Sequence, residues 1–522
     1  VGAGVFAAVV LLWCLVFSTG RFSNPDAHDY AQMGRELRQG HGFATKQVFA
    51  RHIPKLKREG LLDAAHWPNL YRYPLPVLGS ALVQLFVEDE TTAAVVLSGI
   101  GFLLCVPLLF YLVTRFADPL IAALAVLLFV ADGLVFEHAY NGMTESLAIM
   151  LALGLFCVLF APGRSRYRWL AAGAICGLAV LTRTQMVVLL PIAVVQAFLE
   201  TEGRARASAV GLVLGGFVLL LAPWMVRNLI VVGEPFFSFS ATRNIVRNRF
   251  GMGTDIDMHL DAPVALGEVL RVHGGEVARR YWDNLWVGFV SPRFWGKMLD
   301  GVPPLLVFAC AVPFVHPAAR RQPSTSRIAA AALCLFVINF ALVCLVYHLP
   351  RFYIIVHPFA IMLGVYGLVL AKDAFPERLR AGARWCLVGL VLTLGVLQLW
   401  ATVGHHLKQK ELETRASRKC WAEIRARTPR DALIATDKSG RMTLHAHRRT
   451  LRLPARPEDL LAIDDEYVRI DYVALSARPL RKRKAGRYRG SGYWRFVKDP
   501  DFKERFERVR RLPGGIILYE HR

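Results

Sequence analysis

Long apolar runs alternate with short polar turns from residue 1 to about 404, and shorter, mixed patterns follow to the end. Apolar stretches near 1–19, 91–115, 119–138, 142–161, 168–183, 184–199, 207–228, 303–316, 328–347, 352–371 and 384–404 are read as membrane spans, about eleven in all. Val1–Thr19 is read as a retained first span and not a cleaved signal. The segment 71–87, YRYPLPVLGSALVQLFV, opens with Pro74 and Pro76 and is short. It is expected to lie half-sunk in the outer interface without crossing.

The stretch 24–45 follows directly on the first run. Asn24 suits a helix N-cap, Pro25 the first helical position and Gly40 the stop. Tyr30, Met33 and Leu37 fall at helical spacing, an apolar stripe expected to lie on the membrane surface. Asp26 and Asp29, three residues apart, share one face of the first turn. First-turn acids also suit the helix dipole, so position alone assigns them no chemistry.

Beyond residue 404 the pattern changes. DALIAT (431–436), RTLRLP (449–454), RIDYVALS (469–476) and GIILYEH (515–521) read as strands, and 415–427 and 458–467 as helices. The expected architecture is an α-helical polytopic membrane domain (1–404) with a C-terminal soluble α/β domain (405–522).

Composition supports this division. The chain has 522 residues, 54% of them hydrophobic, yet a net charge of +23. A polytopic membrane protein with basic loops combines these properties; a soluble one does not. With the N-terminus inside, four of the five inner loops (115–118, 162–168, 200–207, 316–327 and 372–384) are clearly basic. Loops 21–74 and 229–302 and the tail then lie outside. The tail holds 30 Lys and Arg against 16 Asp and Glu, densest in RKRKAGRYRG (481–490). Anionic lipid headgroups or solvent suit that charge better than nucleic acid in an outward-facing domain. Trp282, Trp286 and Trp295 in the second outer loop read as interfacial anchors. Nine scattered Cys make neither a zinc site nor a disulfide framework and read as buried apolar residues.

Charged residues at the outer ends of spans are costly, and their first reading is functional. Glu145 in NGMTES, Arg183 in LTRTQ, Arg227 and Asn228 in PWMVRN, and His348, Arg351 and Tyr353 in YHLPRFY converge on the outer side, with Asp26 and Asp29.

At this point the chain resembles the polytopic glycosyltransferases of the C superfamily. These include the protein O-mannosyltransferases, the aminoarabinose transferases of lipid A and related bacterial lipopolysaccharide sugar transferases. The carrying residues are DAHDYAQMGRELRQGHGF, YPLP, MTES, GLAVLTRTQ, PWMVRN with GEPF, and PRFY followed by His357-Pro358. Their shared order covers nearly all of 1–370.

The resemblance implies a multi-pass protein of the bacterial plasma membrane that takes a sugar from a polyprenyl-phosphate donor. The acceptor would be a lipid, glycan or protein on the outer face. Asp26 matches the family's base, with Asp29 beside it, and Glu145 its second acid. Glu145 would orient the acceptor or join Asp26 in holding a divalent cation; no other cofactor is implied. Arg183, Arg227, Arg351 and Tyr353 are candidates for the donor phosphate. Asp29 precedes Tyr30, where the aminoarabinose branch has a basic residue, so that branch's substrate is not carried over. Two rival classes remain: a secondary transporter, whose expected repeated halves this chain does not show, and a non-catalytic envelope-assembly scaffold.

Overall fold

The computed structural model describes residues 2–17, 25–163, 165–246, 256–346, 348–408, 415–476, 481–482, 488–489 and 493–522. The chain divides into two compact units. One comprises Val1–Phe22, Ala94–Met225 and Ala278–Lys410; the other comprises Ser23–Ala93, Val226–Val277 and Glu411–Arg522.

Among the described residues, five helices are long and apolar enough to cross a membrane: Glu90–Thr114, Gly203–Val232, Ser324–Cys344, Ile354–Asp373 and Glu377–His405. They mark a multi-pass membrane protein. Further apolar helices are shorter, among them Gly2–Phe17, Glu145–Leu159 and Tyr167–Thr182, so length alone does not reach the expected eleven. The Pro74–Val83 helix has ten residues, about 15 Å, too short to span.

The first unit is helical. Tyr167–Thr182 and Gly203–Val232 cross at glycines: a Cβ on Gly173 would sit 1.9 Å from the Val213 carbonyl oxygen, and one on Gly216 2.3 Å from that of Leu170. Small residues let two backbones touch where no hydrophobic force drives helices together. The stretch read as one span at 119–138 is instead two helices, Pro119–Ala131 and Gly133–His138, broken at Asp132. Asp132 leaves helical geometry, and its Oδ1 accepts from the Leu134 and Val135 amides at 2.9 and 3.1 Å, capping the second helix. Its other oxygen accepts from His357 Nδ1 at 2.6 Å, with both side chains fully buried. The 303–316 stretch is likewise two pieces, Pro304–Ala309 and Val312–Val315.

In the second unit the Pro25–Arg38 helix starts and stops near the positions expected; Asn24 lies outside the described residues. Its apolar stripe does not lie on a membrane surface. Tyr30 and Met33 are buried against Val77 of the Pro74–Val83 helix, with Leu37 and Phe43 alongside. A protein partner satisfies the stripe because YPLP folds the chain back as a second short helix.

The strands of this unit are β1 (Ala44–Thr45), β2 (Gln47–Phe49), β3 (Trp67–Pro68), β4 (Leu433–Thr436), β5 (Arg449–Arg452), β6 (Tyr472–Ser476), β7 (Arg481–Lys482), β8 (Tyr488–Arg489), β9 (Phe506–Leu512) and β10 (Ile516–His521). Six of them form a sheet in the order β2-β5-β4-β6-β10-β9, parallel from β2 to β6 and antiparallel beyond. Successive side chains point to opposite faces. Leu433, Ala435, Val473, Leu475 and Ile517 enter one core, and Ile434, Tyr472, Ala474, Ile516 and Leu518 the other. Burial on both faces explains why these strands read as continuous apolar runs.

Two strands of this sheet escaped the sequence reading. β9 carries FERVRRL, buried at its two ends and exposed between, a charged edge that resists further pairing. β2 comes from the first loop and pairs with β5, Gln47 opposite Thr450, so the sheet is not made by the tail alone. The helices Arg415–Arg427 and Pro457–Glu466 match expectation, and Ser439–Ala446, Tyr493–Lys498 and Pro500–Arg505 are additional. Most of the 481–490 basic run lies outside the described residues.

The cysteines are free among the described residues. Cys105, Cys176, Cys344 and Cys420 are buried, whereas Cys14, Cys334 and Cys386 face outward from the protein, correcting the expectation of uniform burial.

Candidate active site

In the second unit, the Pro25–Arg38 helix presents Asp26 and Asp29 to one guanidinium. Arg72 Nη2 donates to Asp26 Oδ1 at 2.8 Å and to Asp29 Oδ2 at 2.5 Å, and Arg72 Nε reaches Asp29 Oδ2 at 3.0 Å. Local sequence aims this arginine. Asn69 Oδ1 accepts from the Tyr71 and Arg72 amides at 3.1 and 2.8 Å, and Asn69 Nδ2 donates to the Arg72 carbonyl. This is an Asx turn. Pro74 keeps Tyr73 extended, so the chain leaves the turn in one direction. The guanidinium also lies 4.5 Å from the centre of the Tyr71 ring and 5.6 Å from that of Tyr30.

The two acids differ. The Asp26 side chain is 24% exposed and that of Asp29 only 5%. Burial raises the Asp29 carboxyl above the ordinary carboxylate value, and Arg72 opposes that rise. Asp29 lines a cavity of ≈ 20 Å³, room for about one water and not for a sugar. Asp26 is thus the acid with access, and Asp29 the one that holds Arg72. Deeper in the same unit, Arg51 and Arg243 both pair with Asp257 at 2.8 Å, and Arg243 donates to the Tyr71 hydroxyl. Arg227 donates to the Asn69 and Phe43 carbonyls at 2.9 and 3.3 Å and to Asn228 at 3.0 Å.

In the first unit, Glu145 opens the Glu145–Leu159 helix just past Thr144 and is fully buried. Arg183 follows the Tyr167–Thr182 helix in extended geometry, which swings its side chain across to Glu145 Oε1 and to Thr144 Oγ1. His138 Nε2 lies 3.8 Å from the same Glu145 oxygen, and Arg351 adds to the positive field there. Arg183 and Arg351 both flank the Phe352 ring, at 6.0 and 5.6 Å. A polar clip holds this segment: Gln185 donates to Asn339 and to the Phe352 carbonyl at 2.6 Å, and Asn339 to the same carbonyl at 3.1 Å. Tyr353 is buried, its hydroxyl 2.6 Å from His348 Nδ1.

So Asp26 and Asp29 come together in one unit, and Glu145, Arg183 and Arg351 in the other. Arg72 and the Asp132–His357 pair were missed. Arg72 had a signal in its place between aromatics in YRYPLP, and Asp132 in being an acid inside an apolar run. A carboxylate with solvent access beside a fixed guanidinium can accept a proton from a hydroxyl, and an arginine pair over an aromatic ring can hold a phosphate.

Residues 75–226 match the family of dolichyl-phosphate-mannose-protein mannosyltransferases. No curated protein sequence matches the chain. Among solved structures, ArnT from Cupriavidus metallidurans is similar with TM-scores of 0.56 in the apo state and 0.57 bound to undecaprenyl phosphate. Identity is 15% and 14%, and the alignment covers 99% of this chain and 97% of ArnT. The oligosaccharyltransferase AglB from Archaeoglobus fulgidus, in complex with an inhibitory peptide and a dolichol-phosphate, is similar at 0.59 and 11% identity. That alignment covers 91% of this chain and 69% of AglB. The resemblance to C-superfamily glycosyltransferases carried by the motifs therefore holds in the family match and in the fold shared with ArnT and AglB.

Proposed function

We propose that this protein is a membrane glycosyltransferase that moves a sugar from a polyprenyl-phosphate donor to a cell-envelope acceptor on the outer face of the bacterial inner membrane. The observation that carries this reading is the accessible Asp26 carboxylate held by Arg72, on a helix directly after the first apolar segment, in a chain with the ArnT and AglB fold. ArnT binds undecaprenyl phosphate and AglB a dolichol-phosphate, which favours a lipid-phosphate donor here. On this proposal the N-terminus is cytoplasmic, the chain crosses the membrane about eleven times, and the sheet-bearing region is an extracytoplasmic soluble α/β domain.

In the reaction, an acceptor hydroxyl oxygen attacks the anomeric carbon. The bond from that carbon to the lipid-phosphate oxygen breaks, and its electron pair stays on the phosphate. The hydroxyl proton passes to Asp26, and the sugar inverts. The alcohol loses its proton only as the new bond forms, so a carboxylate of ordinary basicity serves. Arg183 and Arg351, with Arg227 and Tyr353 as further candidates, meet the growing phosphate charge. Glu145 would orient the acceptor or take part in holding a divalent cation. Its Oε2 is buried without a hydrogen-bond partner among the described residues, the kind of oxygen a hard cation takes.

Comparing envelope glycans of cells carrying wild-type protein and Asp26→Asn tests the reading. A sugar missing in the mutant supports it and names the product. Identical glycans, with purified protein giving no turnover on any polyprenyl-phosphate sugar, would leave the transporter or scaffold class in its place.

A further inference from the structure

The Pro25–Arg38 helix ends in a turn that brings metal-ligating side chains to one point. The His41 amide donates to the Glu36 carbonyl at 3.0 Å and the Gly40 amide to the Leu37 carbonyl at 3.1 Å. These are the two bonds of a Schellman stop, with Gly40 (φ 85°) in its left-handed position. The motif sets His41 beside Glu36. His66 comes from the other side, because β1 pairs with β3 (Thr45 opposite Trp67) and turns the preceding residue back onto the helix end.

The His41 and His66 rings stack at 3.7 Å with 22° between their planes. Their Nδ1 atoms lie 3.1 and 2.7 Å from the same carboxylate oxygen, Glu36 Oε2. One ligand atom from each residue lies within 4.8 Å of the others. Two ligands of a tetrahedral zinc, each about 2.0–2.1 Å from the ion, stand roughly 3.3 Å apart, so small side-chain shifts would enclose an ion. The carboxylate is divided: Oε1 faces Arg35 Nε at 3.4 Å and Lys46 Nζ at 3.9 Å, while Oε2 faces the imidazoles. Those two cations oppose a metal ion, and Glu90 answers the Arg35 charge at 3.0 Å. Glu36 is fully buried, whereas the His41 side chain is 37% exposed and gives an ion a path from solvent.

The geometry points to a divalent transition-metal site, of the Zn²⁺ class, ligated by Glu36, His41 and His66 with a solvent molecule in the fourth position. Imidazole with carboxylate selects such ions over Mg²⁺ and Ca²⁺. Bound there, the ion pins the end of the helix that carries Asp26 and Asp29 to the β1–β3 ladder. The role is structural, and it stands whether or not the chain transfers sugar.

The test uses tag-free full-length protein in detergent, stripped with chelator, with its free thiols blocked and then dialysed against ZnCl₂. Metal content by mass spectrometry and the thermal unfolding midpoint are read together. One Zn²⁺ per chain and a raised midpoint are expected, with MgCl₂ giving neither. His41→Ala, on the exposed side and so tolerated by the fold, loses the ion and the shift; His66→Ala does the same. Wild-type protein that takes up no zinc, or His41→Ala and His66→Ala variants that take up as much as wild type, would overturn the site and leave a hydrogen-bonded triad.

Discussion

In the helical unit Asp132 meets His357 and Glu145 meets Arg183, each acid buried and closed against a neighbouring base. In the sheet-bearing unit one Arg72 serves both Asp26 and Asp29, and one Asp257 serves Arg51 and Arg243. The surroundings account for the difference. Among apolar helices an unanswered charge costs several kcal/mol, so acids survive there as tight pairs. In the sheet-bearing unit, loop carbonyls and partial exposure supply further partners, and a forked guanidinium can bridge two carboxylates. An acid that must exchange a proton with an incoming hydroxyl suits the second setting. That asymmetry is the reason Asp26, and not Glu145, is proposed as the base.

The sharpest way to break this contrast is at Asp26. Asp26→Asn is expected to lower turnover by about 10²–10⁴-fold while the donor lipid still binds, because a general base acts in the transition state. Asp29→Asn, buried and engaged with Arg72, is expected to be milder. Turnover and donor affinity of both variants decide it; a dead Asp29→Asn with a working Asp26→Asn reverses the roles.

A closed pair in the helical unit should be costly to open. Asp132→Ala is expected to destabilise by about 3–5 kcal/mol, since it strands His357 and also removes the helix cap. His357→Ala should cost less, because the cap remains. Thermal unfolding in detergent ranks them, and equal midpoints for both variants and wild type would show that the pair holds nothing.

Arg351 tests whether the helical unit also binds ligand. Arg351→Ala is expected to weaken donor binding by about tenfold to a hundredfold, the loss of one charged hydrogen-bond partner at about 1.5–3 kcal/mol. Arg351→Lys should recover only part, lacking the planar fork. Donor affinities unchanged in both would remove Arg351 from the site.

The smallest effect concerns pH in the sheet-bearing unit. Arg35 Nη1 donates to His447 Nδ1 at 2.6 Å, which requires a neutral imidazole. Burial, with the nearby cations, lowers the His447 value to about 4. The unfolded chain takes up this proton at higher pH than the folded one, so the contribution is complete above the ordinary histidine value. It is lost as pH falls from about 6.5 towards 4. His447 sits at φ 54°, which Asn tolerates. His447→Asn is therefore expected to flatten the fall in unfolding midpoint between pH 7 and pH 4; an unchanged slope would assign that dependence to other groups.

Much of this was legible in the sequence where local rules decide. Pro25 and Gly40 bound their helix, and four apolar strand runs of the tail are strands, because each signal depends on residues a few positions apart. The Asp132 break was hidden within an apolar run that looked continuous, and β9 was hidden by the charge that protects a sheet edge. The stripe of Tyr30 and Met33 was read correctly as apolar and wrongly as membrane-facing, since periodicity shows which face is greasy but not what covers it.

By itself the sequence determined the membrane class, the two acids on one helix face and the order of motifs shared with the C superfamily, since hydropathy and short spacings are written along the chain. Only the tertiary structure decided that Arg72 joins Asp26 to Asp29 across 46 and 43 residues, that Asp132 meets His357 across 225, and that His66 joins Glu36 across 30. Charge partners so far apart are chosen by how helices and turns pack, and an unpaired charge becomes costly only once that packing has removed the water around it.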